Sequence, residues 1–232
     1  MTLILPFVYY SGLTGWNLYL YFFRRSTAVV LDGNFHEHDL VFSVGDNMRL
    51  RYSRGSGISE MEIRFLNVRV DYLYPQGFYA VMGGIYTGGL EAFLGFSSEW
   101  KPSVYISFDR RWKRGRFEIR VRGVGKYYGG YSIPLGRVDS WGYRRLEVRG
   151  PVAYSISLLG YYTLRESVVY AGFMPVGKRG MDLIVGGQYF NGRLSVGGGL
   201  RFFYPVIGNL SLFIGVNPAS RRWDVFVGAG RL

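Results

Sequence analysis

From residue 143 to the end, apolar residues alternate with small or polar ones in short runs, broken at nearly even spacing by turn chemistry. The runs are 143–149, 152–163, 167–176, 181–190, 193–204, 209–217 and 222–231. The breaks are Arg-Gly-Pro, Leu-Arg-Glu-Ser, Gly-Lys-Arg-Gly, Asn191-Gly192, Val-Ile-Gly-Asn and Pro-Ala-Ser-Arg. Successive side chains of a strand point to opposite faces, and breaks of this composition suit hairpin turns. Each neighbouring pair of runs is therefore predicted to form a hairpin. One phase is apolar, as in Leu194, Val196, Leu200, Phe202 and Tyr204, or Leu210, Leu212, Ile214 and Val216. The other phase holds Arg193, Ser195, Gly197, Gly199 and Arg201.

The first half repeats the theme in 3–10, 16–31, 39–54, 60–74, 78–86, 89–98, 102–112 and 116–124. In 116–124, Phe117, Ile119 and Val121 alternate with Glu118, Arg120 and Arg122; in 48–54, Met48, Leu50 and Tyr52 alternate with Arg49, Arg51 and Ser53. Within 60–74 the apolar phase switches from Ile63 and Phe65 to Val68, Val70 and Tyr72, which predicts a β-bulge near Leu66 and Asn67. No 3.6-residue stripe or capping box competes with these signals, so the chain reads as all-β and as one domain over 1–232. Segment 125–141, with Tyr127, Tyr128, Tyr131, Pro134 and Trp141, reads as a long loop or an inward constriction.

Alternation alone does not say which face meets water, but the number and length of the runs do bear on it. Some fifteen runs are many for a soluble sandwich, whereas runs of roughly 9 to 11 residues match a tilted strand crossing a bilayer. Aromatic residues gather at run ends, among them Tyr9, Tyr10, Trp16, Tyr72, Tyr74, Trp100, Trp112, Tyr189, Phe190, Tyr204 and Trp223, as an interfacial girdle requires. The composition agrees, with 34 Gly, 20 Tyr, 17 Phe and 5 Trp against no Cys. The uncharged stretch 1–23 is interrupted by Pro6, Gly12, Thr14, Gly15 and Asn17, which argues against a helical span. For a secreted protein, a leader is expected to have been removed ahead of this sequence and Met1 added.

Through the alternating runs, the tight turns and the terminal strand Arg222 to Leu232, the chain resembles bacterial outer-membrane β-barrels in general, over essentially its whole length. The resemblance points to no particular family. It implies a transmembrane antiparallel up-and-down β-barrel of about 14 strands, roughly 12 to 16, integral to the outer membrane. Such proteins commonly end in Phe after alternating apolar positions. Here the last residue is Leu232 and the apolar phase of Val225, Val227 and Ala229 is one residue out of step.

The formal net charge is +12, and only four of the 28 basic residues are lysines. By phase, the residues expected to line a pore are Arg49, Arg51, Glu62, Arg64, Glu118, Arg120, Arg122, Arg145, Glu147, Arg149, Arg193 and Arg201. Further inward acids are Asp71, Glu91, Asp109, Asp182 and Asp224, and Arg69 joins the bases. Such a mixed lining supports a mild preference for anions, or a salt-bridge network bracing the wall. The remaining positive charge falls at strand ends: Arg24, Arg25, Arg110, Arg111, Lys113, Arg114, Lys178 and Arg179. Those positions suit phosphates of membrane lipid or lipopolysaccharide, or simply solvated turns. No concentrated basic face or aromatic platform marks a nucleic-acid binder.

The two histidines, His36 and His38, sit in one turn-like stretch ending at Asp39. They are candidates for a divalent metal, although a polar loop tip is the plainer reading. With no Gly-x-Ser-x-Gly elbow and both histidines in one loop, no catalytic constellation or cofactor motif stands out, and an enzyme is not expected. The expectation is a passive pore for small hydrophilic or anionic solutes. The alternatives are a closed structural or lipid-interacting barrel, and then a barrel hydrolase using the His36 to Asp39 loop.

Overall fold

The structure, a computed structural model, describes residues 2–11, 15–33, 38–45, 47–55, 58–131, 152–190, 193–204, 208–217 and 222–229. Among these, every regular element is a strand. They are β1 (Thr2–Ser11), β2 (Gly15–Arg24), β3 (Thr27–Gly33), β4 (His38–Val44), β5 (Met48–Gly55), β6 (Ile58–Phe65), β7 (Val68–Tyr74) and β8 (Phe78–Thr87), then β9 (Leu90–Ser97), β10 (Pro102–Arg114), β11 (Phe117–Tyr128), β12 (Val152–Ala171), β13 (Met174–Phe190), β14 (Arg193–Tyr204), β15 (Gly208–Asn217) and β16 (Arg222–Ala229). Each pairs antiparallel with the next in sequence, an up-and-down sheet. Two further pairs, Tyr10↔Val227 and Ser11↔Phe226, set β1 beside β16.

Sixteen described strands lie at the upper end of the expected range, because three predicted runs each contain a hairpin. Runs 16–31, 39–54 and 60–74 divide at Arg25-Ser26, at 45–47 and at Leu66-Asn67. The switch of phase in 60–74 is thus a two-residue turn rather than a bulge, with Phe65 paired to Val68 and a positive φ of 52° at Leu66. The reverse error occurs further on. Leu-Arg-Glu-Ser and Gly-Lys-Arg-Gly are not turns: they lie inside β12 and β13, which pair past them with a register shift between Thr163 and Arg165. The real turn is Gly172-Phe173, where Gly172 adopts φ 63°. Gly125 to Tyr128, read as loop, belong to β11. Run 143–149 and most of loop 125–141 lie outside the described residues.

Burial alternates as the pleat requires, but with polarity inverted. Among the described side chains, fifteen polar or charged ones are buried, including Glu60, Glu62, Arg64, Arg69, Asp71, Glu91, Arg120, Lys126 and Asp182, against eleven hydrophobic ones. The opposite phase exposes Met61, Val81, Leu94, Ile106, Ile119, Ile156, Leu158, Val185 and Ile214. A small apolar cluster of Leu73, Phe78, Ala80, Met82, Phe93, Tyr105, Tyr128 and Ala153 accompanies the buried charges.

Where β8 and β9 pair, the two backbones leave no room for a side chain at two glycines. A Cβ on Gly84 would fall 2.0 Å from the Ala92 carbonyl oxygen, and one on Gly95 2.0 Å from that of Val81, so only glycine permits this approach. β6 and β7 face β10 and β11 through the pairs Lys126–Glu60, Tyr128–Asp71 and Arg69–Tyr105. Five strand spacings separate β6 from β11, an arc of about 24 Å, yet their side chains touch, as walls about 10 Å apart allow.

Candidate functional site: a charged interior and a basic rim

The inward residues of β5, β6 and β7 stand in register rows. Arg49 pairs with Arg64 and Arg64 with Arg69; Arg51 pairs with Glu62 and Glu62 with Asp71. Guanidiniums in one row and carboxylates in the next place opposite charges on the diagonals. Arg69, fully buried, lies 2.9 Å from both Glu62 and Asp71, and its guanidinium stacks 3.4 Å from the Tyr105 ring centroid. Arg51 is 4.0 Å from Glu62. Arg64 reaches Glu91 on β9 at 3.0 Å and lies over Tyr86.

Contacts then span the interior from β11. Lys126 Nζ donates to both oxygens of Glu60, at 2.6 and 2.8 Å, and the Tyr128 hydroxyl donates to Asp71. On the β10 and β11 wall, Arg120 and Arg122 share Asp109, each with a contact of 2.9 Å, while Glu118 pairs with Arg111 at 3.0 Å. Arg201 holds Asp182 across β13 and β14 at 3.0 Å. Paired and hydrogen-bonded charges of this kind are the form in which ions tolerate burial.

Seven of the predicted lining residues, Arg49, Arg51, Glu62, Arg64, Arg120, Arg122 and Arg201, are thus buried or half-buried on the inner face, and Glu118 lies at its edge. Arg193 opens β14. Arg145, Glu147 and Arg149 lie outside the described residues. Lys126 and Glu60 were missed, although Arg120, Arg122, Val124, Lys126 and Tyr128 continue one alternating phase. His36 also lies outside the described residues, while His38 begins β4 with its ring 5.9 Å from that of Tyr52. Among the described residues, no group of three or more metal-ligating side chains comes together.

All eight predicted rim residues fall at one end of the strands. Arg24 and Arg25 flank the β2–β3 turn, and Arg110, Arg111, Lys113 and Arg114 close β10. Lys178 and Arg179 lie in the β12–β13 hairpin, with Arg116 and Arg165 at the same end. All ten of these basic side chains are exposed. Among the described residues the turns there are short, at 25–26, 66–67, 88–89, 115–116 and 172–173. Since Phe117 pairs with Tyr162, the β12–β13 hairpin runs nine residues beyond the neighbouring turn, from 162 to 171. On that projection the exposed Glu166 carboxyl is held below its usual range by a hydrogen bond from Lys178.

A scan against models of known protein families finds no match for this chain, and a search of curated proteins finds none either.

Proposed function

We propose that the sheet is the wall of a membrane-spanning β-barrel of the bacterial outer-membrane type, whose polar interior passes small hydrophilic solutes by diffusion with a mild preference for anions. The observation that carries the membrane reading is the inversion of burial: exposed Leu94, Ile106, Ile119, Leu158 and Val185 on one face, buried ion pairs on the other. Water penalises such an apolar face, and soluble monomers rarely carry one beyond a few hundred Å². The belt also has a bilayer's dimensions. On β9 and β10, exposed Phe96 is level with Pro102, and Trp112 lies ten residues further along. Ten residues rise about 33 Å, or about 25 Å at the usual barrel tilt, the height of a lipid-facing band. Exposed Tyr74, Trp100 and Tyr189 flank the band at one end and Trp112 and Phe117 at the other.

The pairs between β1 and β16 support closure of the wall, which removes the unpaired edges that hydrocarbon would penalise. Short turns characterise the periplasmic end of such barrels. The basic rim lies at that end, which favours anionic phospholipid headgroups over lipopolysaccharide as its neighbours.

A second reading is supported by the interior network. Arg69, Asp71, Glu60 and Lys126 are almost inaccessible and bridge facing walls, as in a closed structural barrel. Single-channel recording in planar bilayers separates the two. Steady openings with an anion-weighted reversal potential, reduced by Arg120→Glu, are expected for the pore; a folded but silent protein would leave the closed barrel.

A further inference from the structure

Beside the ion-pair network the interior opens into a cavity of about 440 Å³, lined by Arg49, Arg122, Glu91, Asp109, Tyr86, Tyr105 and three serines, Ser107, Ser155 and Ser157. That volume is within the range of small-molecule sites. The charges around it do not balance. Glu91 is held by Arg64, and Asp109 by both Arg120 and Arg122. The lining itself holds two arginines and two carboxylates, but with the network beside it Arg49, Arg51, Arg64, Arg69, Arg120, Arg122 and Lys126 meet Glu60, Glu62, Asp71, Glu91 and Asp109, seven positive charges against five.

Arg49 carries that surplus most plainly. The other arginines of its row, Arg64 opposite it and Arg69 one strand further, each have a carboxylate and an aromatic ring. The Nε of Arg49 is buried with no hydrogen-bond partner among the described residues, and no ion pair joins it to any of them. An unpartnered buried donor costs about 1 to 3 kcal/mol, more when charged, so a structural role alone does not account for it. Arg64 and Arg69 also keep buried nitrogens without a hydrogen bond, but each is ion-paired to a carboxylate through its guanidinium, and Arg49 is not.

We propose that this cavity binds a small organic anion, its carboxylate received by Arg49 and Arg122 and its body resting against Tyr86 and Tyr105. The planar fork of arginine matches a carboxylate in two parallel hydrogen bonds, and the serine hydroxyls supply further donors. A cation would meet the surplus charge of its own sign. The inference rests on the interior being reachable by solutes, as read above, but not on conduction through it.

The test is calorimetric titration of the folded protein in detergent micelles with benzoate, with neutral benzamide and with inorganic phosphate. Saturable binding of benzoate is expected, with none of benzamide. Arg49→Gln and Arg122→Gln, each checked for folding by heat-modifiable migration, are each expected to weaken benzoate by about tenfold or more, as loss of a charge-assisted hydrogen bond implies, and Arg49→Lys to restore part of it. Absence of saturable heat, or affinity unchanged in folded Arg49→Gln, overturns the site. Phosphate binding as tight as benzoate overturns the organic-anion assignment in favour of a bare oxyanion. Since the readout is binding, a silent channel that binds benzoate removes only the pore, and a conducting channel that does not bind it removes only this site.

Discussion

Lys126 and Glu60 form an ion pair in which each side chain is 2% exposed, so neither charge keeps its water. Their attraction offsets that loss only while both are present. Lys126→Leu leaves Glu60 charged and buried, and is expected to lower stability by about 3 to 5 kcal/mol, read as a fall in the urea midpoint. Replacing both, Glu60→Leu with Lys126→Leu, is expected to recover most of the loss, because two apolar side chains next to Leu73 and Tyr128 need no partner. Equal destabilisation in the single and double variants would mean that packing, not charge, dominates at this point.

At the level of the strand, the two faces of one segment answer differently to the same change. Val185 is exposed on β13, whereas Ile184 beside it is buried. On the membrane reading, Val185→Arg is expected to cost about 2 to 4 kcal/mol in lipid, the cost of a charge on the lipid-facing side of a barrel strand away from the interfaces. Val185→Leu is expected to be neutral; comparison of unfolding in lipid vesicles checks both, and a tolerated arginine would place this face in water. The alternation that makes this prediction possible was legible in the sequence, and with it the all-β class and seven inward residues. Turn positions were less so. Arg25-Ser26 and Leu66-Asn67 contain no glycine or proline, so periodicity ran through them, while Gly177 and Gly180 resemble a turn but pair with Val169 and Glu166 in the ladder. The links across the interior were illegible for another reason. They join strands five apart in the sheet, and an alternating pattern tells which face a residue takes but not which distant strand it will meet.

For the whole molecule, the asymmetry of charge is the property with the widest reach. On the membrane reading proposed above, the ten exposed basic residues at the short-turn end would face the headgroups of one leaflet, each contributing about 1 kcal/mol beside anionic lipid, and less as salt shortens the screening length. Anionic phospholipid added to neutral micelles is therefore expected to raise the thermal midpoint, by an amount that shrinks with salt and in a variant with Arg110, Arg111, Lys113 and Arg114 changed to Gln. An equal rise with zwitterionic lipid would remove the electrostatic account.

The same contacts that span the interior also bear on how the chain finds its structure. Along the wall each strand meets its sequence neighbour, so most of the sheet can grow hairpin by hairpin through short loop closures. The Lys126–Glu60 contact is of another kind, since it joins residues 66 apart and requires the five strand pairings between β6 and β11 to be in place first. It is therefore expected to form late, after the rate-limiting barrier, which a φ-value near zero for Lys126→Leu would show. Its free energy is then held in the barrier to unfolding, so that weakening it is expected to shorten the lifetime of the folded sheet and leave the speed of assembly nearly unchanged.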